Sequence, residues 1–132
     1  MLMNVIESEI PVPNVPCEAL QVAPVDLKHL RRYTMGDYAL EKEILGLFLG
    51  QLPQTIKALS EAVTDKDWRM AAHTLKGSGR AVGAWRVARL AELAERQFNL
   101  KNQVMCSQAV ERIEEAAEEA RAFIEATYAT RS

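Results

Sequence analysis

From Leu45 onward, Leu49, Leu52, Ile56, Leu59 and Val63 recur at alternating spacings of four and three, a period that a helix turns to one side and a strand cannot. Two later segments carry the same signature: Val87, Leu90, Ala91, Ala94 and Phe98, then Val110, Ile113, Ala117, Ala120 and Ile124. Each stripe needs another to cover it, so the expectation is helices packed on helices. Aromatic residues make up only 6% of the chain, which removes much of what sheets draw on. A length of 132 residues suits one domain around one core.

Residues 1–24 contain Pro11, Pro13, Pro16 and Pro24 without an apolar period. They read as an extended or flexible N-terminal tail, and residues 25–132 as the folded domain. Asp26 is placed to cap a short first helix, LKHLRRY, which Gly36 and Asp37 end. The second helix carries the long stripe, and Pro53 removes the bond to the Leu49 carbonyl, so a bend is expected there. The stretch TDKDW supplies a turn with Asp65 or Asp67 as cap. A third helix follows from about Trp68 to Val82, closed by Gly83. A fourth is expected over about 84–99 and a fifth from the KNQ break to about Thr127.

With 18 acidic and 16 basic residues the formal charge is -2, which lacks the basic excess of a general nucleic-acid binder. Cys17 and Cys106 stand in unrelated settings, unlike a disulfide framework or a metal-ligand pair, and read as free thiols. The opening MLMNVIESEI has acids where an export signal has cations, and no stretch approaches the roughly 20 apolar residues that span a bilayer. The expectation is a cytoplasmic protein, monomeric because every stripe has a place inside one bundle.

The third helix holds the candidate chemistry. On a wheel of about 100° per residue with His73 at zero, Ala71, Leu75, Ser78 and Val82 gather within about 40° of the opposite side. That side is the core face, so His73 points outward. Arg69, Lys76, Gly77 and Arg80 fall within about 60° of it, forming a cationic stripe. A surface histidine with coincidental basic neighbours is the plainer alternative. Against it stand Gly77 and Gly79, each costing about 1 kcal/mol relative to Ala inside a helix. Gly77 lies on the exposed histidine face, where packing gives no reason for it, so something is expected to approach closely there.

An imidazole is a nucleophile near neutral pH, and a phosphoryl group on it would be steadied by Lys76, Arg69 and Arg80. There is no glycine-rich phosphate loop, no signalled carboxylate pair and no second histidine at zinc-ligand spacing. His29, among Lys28, Arg31 and Arg32, reads as an ordinary surface residue.

The run AAHTLKGSGRAVGA, from Ala71 to Ala84, resembles the signature of histidine phosphotransfer (HPt) domains of two-component phosphorelays. Its H-x-x-K-G core is followed by small residues, then an apolar residue and Gly before the next helix. GDYALEKEILGLFLGQLPQTIKAL resembles that family's second helix and DKDW its approach to the histidine helix, with the pattern reaching loosely from Val25 to Tyr128. The resemblance implies an up-and-down four-helix bundle with a short extra N-terminal helix. It also implies that His73 is phosphorylated, that Lys76 is the nearby cation and that Gly77 is the bare spot where a receiver domain settles. Arg80 departs from the pattern, where a small or uncharged residue is commoner, and it and Arg69 are expected to contact the partner. Kinase dimerisation domains follow their histidine with an acid and a proline, and His73-Thr74-Leu75-Lys76 has neither.

Such a chain accepts a phosphoryl group from a receiver aspartate and passes it to another receiver, its partners being response regulators and a hybrid histidine kinase. Without an ATP-binding domain it has no kinase activity of its own, and it needs no cofactor, the magnesium sitting in the receiver's acidic pocket. Two other readings stand beside this one. A helical adaptor would bind receiver domains or other proteins through the same face without being phosphorylated. A metal-assisted hydrolase would need ligands beyond His73 that the sequence does not supply.

Overall fold

The computed structural model describes residues 23–96 and 102–129. These form five helices: α1 (Leu27–Thr34), α2 (Tyr38–Ser60), α3 (Asp65–Val82), α4 (Trp85–Arg96) and α5 (Gln103–Ala129). No strand occurs among the described residues. The proline-bearing tail up to residue 22, Phe98 and the expected end of the fourth helix lie outside them.

Local chemistry sets the helix ends. Asp26 and Asp37 each accept a hydrogen bond from the backbone NH three residues on, at His29 and Leu40, as N-caps do. At α3 the cap is Thr64, not Asp65 or Asp67: its hydroxyl accepts from the Asp67 NH at 3.1 Å. The helix therefore begins at Asp65, three residues before Trp68. Both aspartates lie in its first turn, where negative charge suits the helix dipole. Asn102 accepts in the same way from Met105 NH. The second helix runs through Pro53 without interruption.

Helices α2 to α5 pack in a ring. Each meets its successor, α5 closes on α2, and among the described residues no diagonal pair brings its backbones together. This is an up-and-down four-helix bundle. Its interior holds Leu45, Leu52 and Leu59 from α2, Trp68 and Leu75 from α3, Val87 and Ala91 from α4, and Ile113, Ala120 and Ile124 from α5. Buried alanines line α4 and α5 while the leucines of α2 and α3 fill the centre. Two expectations about the stripe change. Val63 is exposed, because α2 stops at Ser60 and the Glu61 NH turns back to the Lys57 carbonyl. Leu49 is only half-buried, and Phe48 takes the interior position beside it.

Glu41 is the one buried acid among the described residues. It accepts two hydrogen bonds from Arg31, at 2.7 and 3.1 Å, and one from the Tyr128 phenol, so α1, α2 and α5 meet on a single carboxylate. A charge in that place is tolerable only because it is paired and hydrogen-bonded. Burial, with the Glu41 charge adding to it, pushes the Tyr128 phenol well above its ordinary range.

The short helix α1 lies across one end, against α2 and α3. Asp26 NH donates to the Gly83 carbonyl at 2.8 Å, and the Trp85 indole donates to the Asp26 carboxylate at 3.0 Å. Gly83 sits at φ +82°, and a Cβ there would lie 2.8 Å from the Asp26 carbonyl oxygen. Only glycine satisfies both the left-handed turn and this close approach. His29 is not the plain surface residue that its charged neighbours suggest. Its ring packs edge-on against Tyr33 and Trp85, and Nε2 is placed to donate to the Arg80 carbonyl, 3.1 Å away.

Candidate functional site

Helix α3 turns one face inward, with Trp68, Ala71, Ala72, Leu75, Gly79 and Val82 buried. His73 stands on the other, its side chain 68% exposed. What sits next to it depends on how α3 and α4 pair. Their contact is held at one end by the Trp68 indole, which donates to the Ala94 carbonyl at 2.7 Å. At the other end it is held by Gly79, where an added Cβ would meet Ala88 N at 2.9 Å and Ala84 O at 3.0 Å. Gly79 thus has a structural reason. Gly77 has none among the described residues: a Cβ there would find nothing within 4 Å.

With the helices this close, Glu95 of α4 faces His73. Its Oε2 lies 2.9 Å from His73 Nδ1 and its Oε1 2.7 Å from Lys76 Nζ. A carboxylate only accepts, so Nδ1 carries a proton and donates, and in the neutral imidazole the other ring nitrogen, Nε2, keeps its lone pair. No described residue partners Nε2. Lys76 is largely covered and holds the Glu95 carboxyl below the usual carboxylate range; desolvation opposes that effect and the His73 hydrogen bond adds to it. The site is therefore a chain of three groups: cation, carboxylate, imidazole.

The remaining residues singled out in the sequence are spread along the same face. Arg69 lies with Lys66, Met70, Thr74 and Glu95 around a solvent-open depression beside the imidazole. Arg80 lies two turns along α3 from His73, its guanidinium 3.6 Å from Glu92 of α4. Gly77 is exposed one turn from His73.

Glu95 is the residue that sequence reasoning missed. Its signal was faint: an acid three positions after Glu92, on a helix whose exposed face carries both charges. Among the described residues no group of three or more His, Cys, Asp or Glu side chains is placed to hold a metal ion. No described helix is long and apolar enough to cross a membrane.

A family model described as the Hpt domain matches residues 43–123, more than half of the chain. That span takes in most of α2, all of α3 and α4, and α5 as far as Phe123. No similar curated protein and no similar solved structure was found.

Proposed function

The chain belongs to the Hpt domain family, whose members relay phosphoryl groups on histidine by way of receiver domains, and from that premise we propose that His73 is the phosphoryl-carrying residue. The observation that carries the reading is the Nδ1 hydrogen bond to Glu95 on a side chain that is mostly exposed, which in the neutral ring leaves the lone pair on Nε2. Receiver domains of response regulators and of a hybrid histidine kinase are the proposed partners.

In the transfer, the Nε2 lone pair forms a bond to phosphorus as the bond from phosphorus to the receiver's aspartate oxygen breaks. The aspartate leaves as a carboxylate. The ring then carries positive charge, its proton staying on Nδ1 in the hydrogen bond to Glu95, so no proton has to move. Glu95 fixes the tautomer and the ring plane, and Lys76 keeps Glu95 ionised and in place. Magnesium belongs to the partner's acidic pocket, and this chain supplies neither a cofactor nor kinase activity of its own. Gly77 gives the approaching receiver backbone room one turn from the imidazole.

Phosphorylated receiver domains from the protein's own cell are the test. Acid-labile, base-stable label on the wild-type chain and none on His73→Gln is the expected result. Lys76→Ala slows the transfer while the helical fold is kept. Label of normal extent on His73→Gln refutes the assignment, and binding of receivers without any transfer favours the adaptor reading.

A further inference from the structure

One turn from the Glu95–His73 pair, three guanidinium groups converge on a single carboxylate. Arg80 of α3 and Arg89 and Arg96 of α4 stand 3.6, 3.3 and 3.4 Å from Glu92, and all three side chains are more than half exposed. One negative charge meets three positive ones, so the cluster keeps an excess of two, on a chain whose formal charge is -2. Among the described residues, Glu95 is engaged by Lys76 and His73, and Glu119 by Arg86, so neither is free to cancel it.

Stability does not account for this arrangement. Exposed pairs of this kind contribute about 0–1 kcal/mol each, and the two pairs within α4 would do the same without Arg80. Arg80 comes from the neighbouring helix and adds like charge to a carboxylate that is already compensated. What the arrangement does is hold arginines of two helices in one place beside the imidazole. Along α3, Arg80 is about 10 Å from His73, at 1.5 Å per residue. Glu92 is about 4.5 Å along α4 from Glu95 by the same measure. A protein seated over His73 with a standard footprint of about 800 Å² covers a disc of roughly 16 Å radius and therefore reaches these arginines.

We propose that the arginines around Glu92 form a docking surface for an acidic stretch of the protein that exchanges phosphoryl groups with His73. The inference rests on the reading of His73 given above. Exposed guanidinium groups recognise carboxylates by charge and by paired hydrogen bonds. Attraction at such a surface speeds encounter more than it strengthens the bound complex, and it weakens with salt. Glu92 holds the three side chains together and reduces their net charge by one.

The test uses a receiver domain that labels the wild-type chain, with phosphoramidate as a small donor that needs no protein surface. For Arg89→Ala/Arg96→Ala, kcat/KM with the receiver falls about tenfold at low ionic strength, with a shallower salt dependence and an unchanged kcat. Labelling by phosphoramidate stays at the wild-type rate, which also reports an intact fold. Glu92→Gln moves kcat/KM in the opposite direction, upward, at low salt. An unchanged kcat/KM and salt slope in the double variant overturns the proposal. So does a loss of binding to anionic vesicles or nucleic acid while transfer stays normal. If phosphoramidate fails to label the wild-type chain at His73, the phosphotransfer reading falls instead.

Discussion

Gly77 and Gly79 lie two residues apart in α3, and replacing each by alanine is expected to change stability in opposite directions. Both changes remove the backbone freedom of glycine inside a helix, a gain of about 1 kcal/mol. At Gly77 no described residue opposes that gain, because an added methyl group meets none of their atoms within 4 Å. Gly77→Ala therefore stabilises by about 1 kcal/mol, or about 3–5 °C in Tm for a domain of this size. At Gly79 the methyl group meets Ala88 N at 2.9 Å, Ala84 O at 3.0 Å and Ala88 Cα at 3.2 Å. All three are backbone atoms, so relief requires α4 to move, and overpacking of this kind costs about 1–3 kcal/mol. Set against the helix gain, Gly79→Ala is destabilised by about 1 kcal/mol, and the two variants differ by about 2 kcal/mol. Urea unfolding followed by helical circular dichroism measures both. A Gly79→Ala protein as stable as Gly77→Ala would falsify the close α3–α4 approach on which the position of Glu95 depends. Gly77→Trp separates structure from function, with receiver docking expected to be blocked while helical circular dichroism reports a folded bundle.

Glu95→Gln takes the carboxylate from both His73 and Lys76, and transfer from a phosphorylated receiver is expected to slow by about tenfold. Because the folded-state pKa of Glu95 is lowered, its contribution to stability is complete above the ordinary glutamate value and is lost as pH falls through the lowered one. The stability difference between wild type and Glu95→Gln, measured by urea unfolding at several pH values, therefore vanishes in acid; a difference that grows there contradicts the geometry. Arg31→Ala takes two hydrogen bonds and the paired charge from the buried Glu41 carboxylate, which keeps the bond from the Tyr128 phenol. It should cost about 2–3 kcal/mol, less than a fully buried pair because Arg31 is itself half-exposed. Trp68→Phe removes the donor to the Ala94 carbonyl and should cost about 1–2 kcal/mol, with a thermal melt as the readout.

What could be read in the sequence concerns single helices. The apolar stripes at three-four spacing are a property of each segment, and so is the angle between His73 and the Ala71–Leu75–Val82 face, because 1.5 Å and 100° per residue hold wherever the helix lies. Asp26, Asp37 and Gly83 marked helix ends through bonds to their own near neighbours. Where reading went astray the competition was local too: Thr64 lies one residue before Asp65 and its hydroxyl reaches the Asp67 NH first. Val63 continues the spacing of a helix that has already stopped at Ser60.

Contacts between helices were not legible, since a wheel gives a direction around an axis and not the identity of what stands there. Glu95 is 22 residues from His73, and the two meet only because Gly79 and the Trp68 indole bring α3 and α4 together. Glu41 is enclosed only where α1 and α5 close over it with Arg31 and Tyr128, the latter 87 residues along the chain. His29 likewise looks solvated until the turn at Gly83 presents Trp85 and the Arg80 carbonyl to its ring. The chain's own periodicity determined that there would be a helical bundle with an outward histidine on α3. Tertiary packing alone decided which carboxylate orients that histidine and where the arginines gather, because both depend on the separation of two helix axes and not on the order of residues along either.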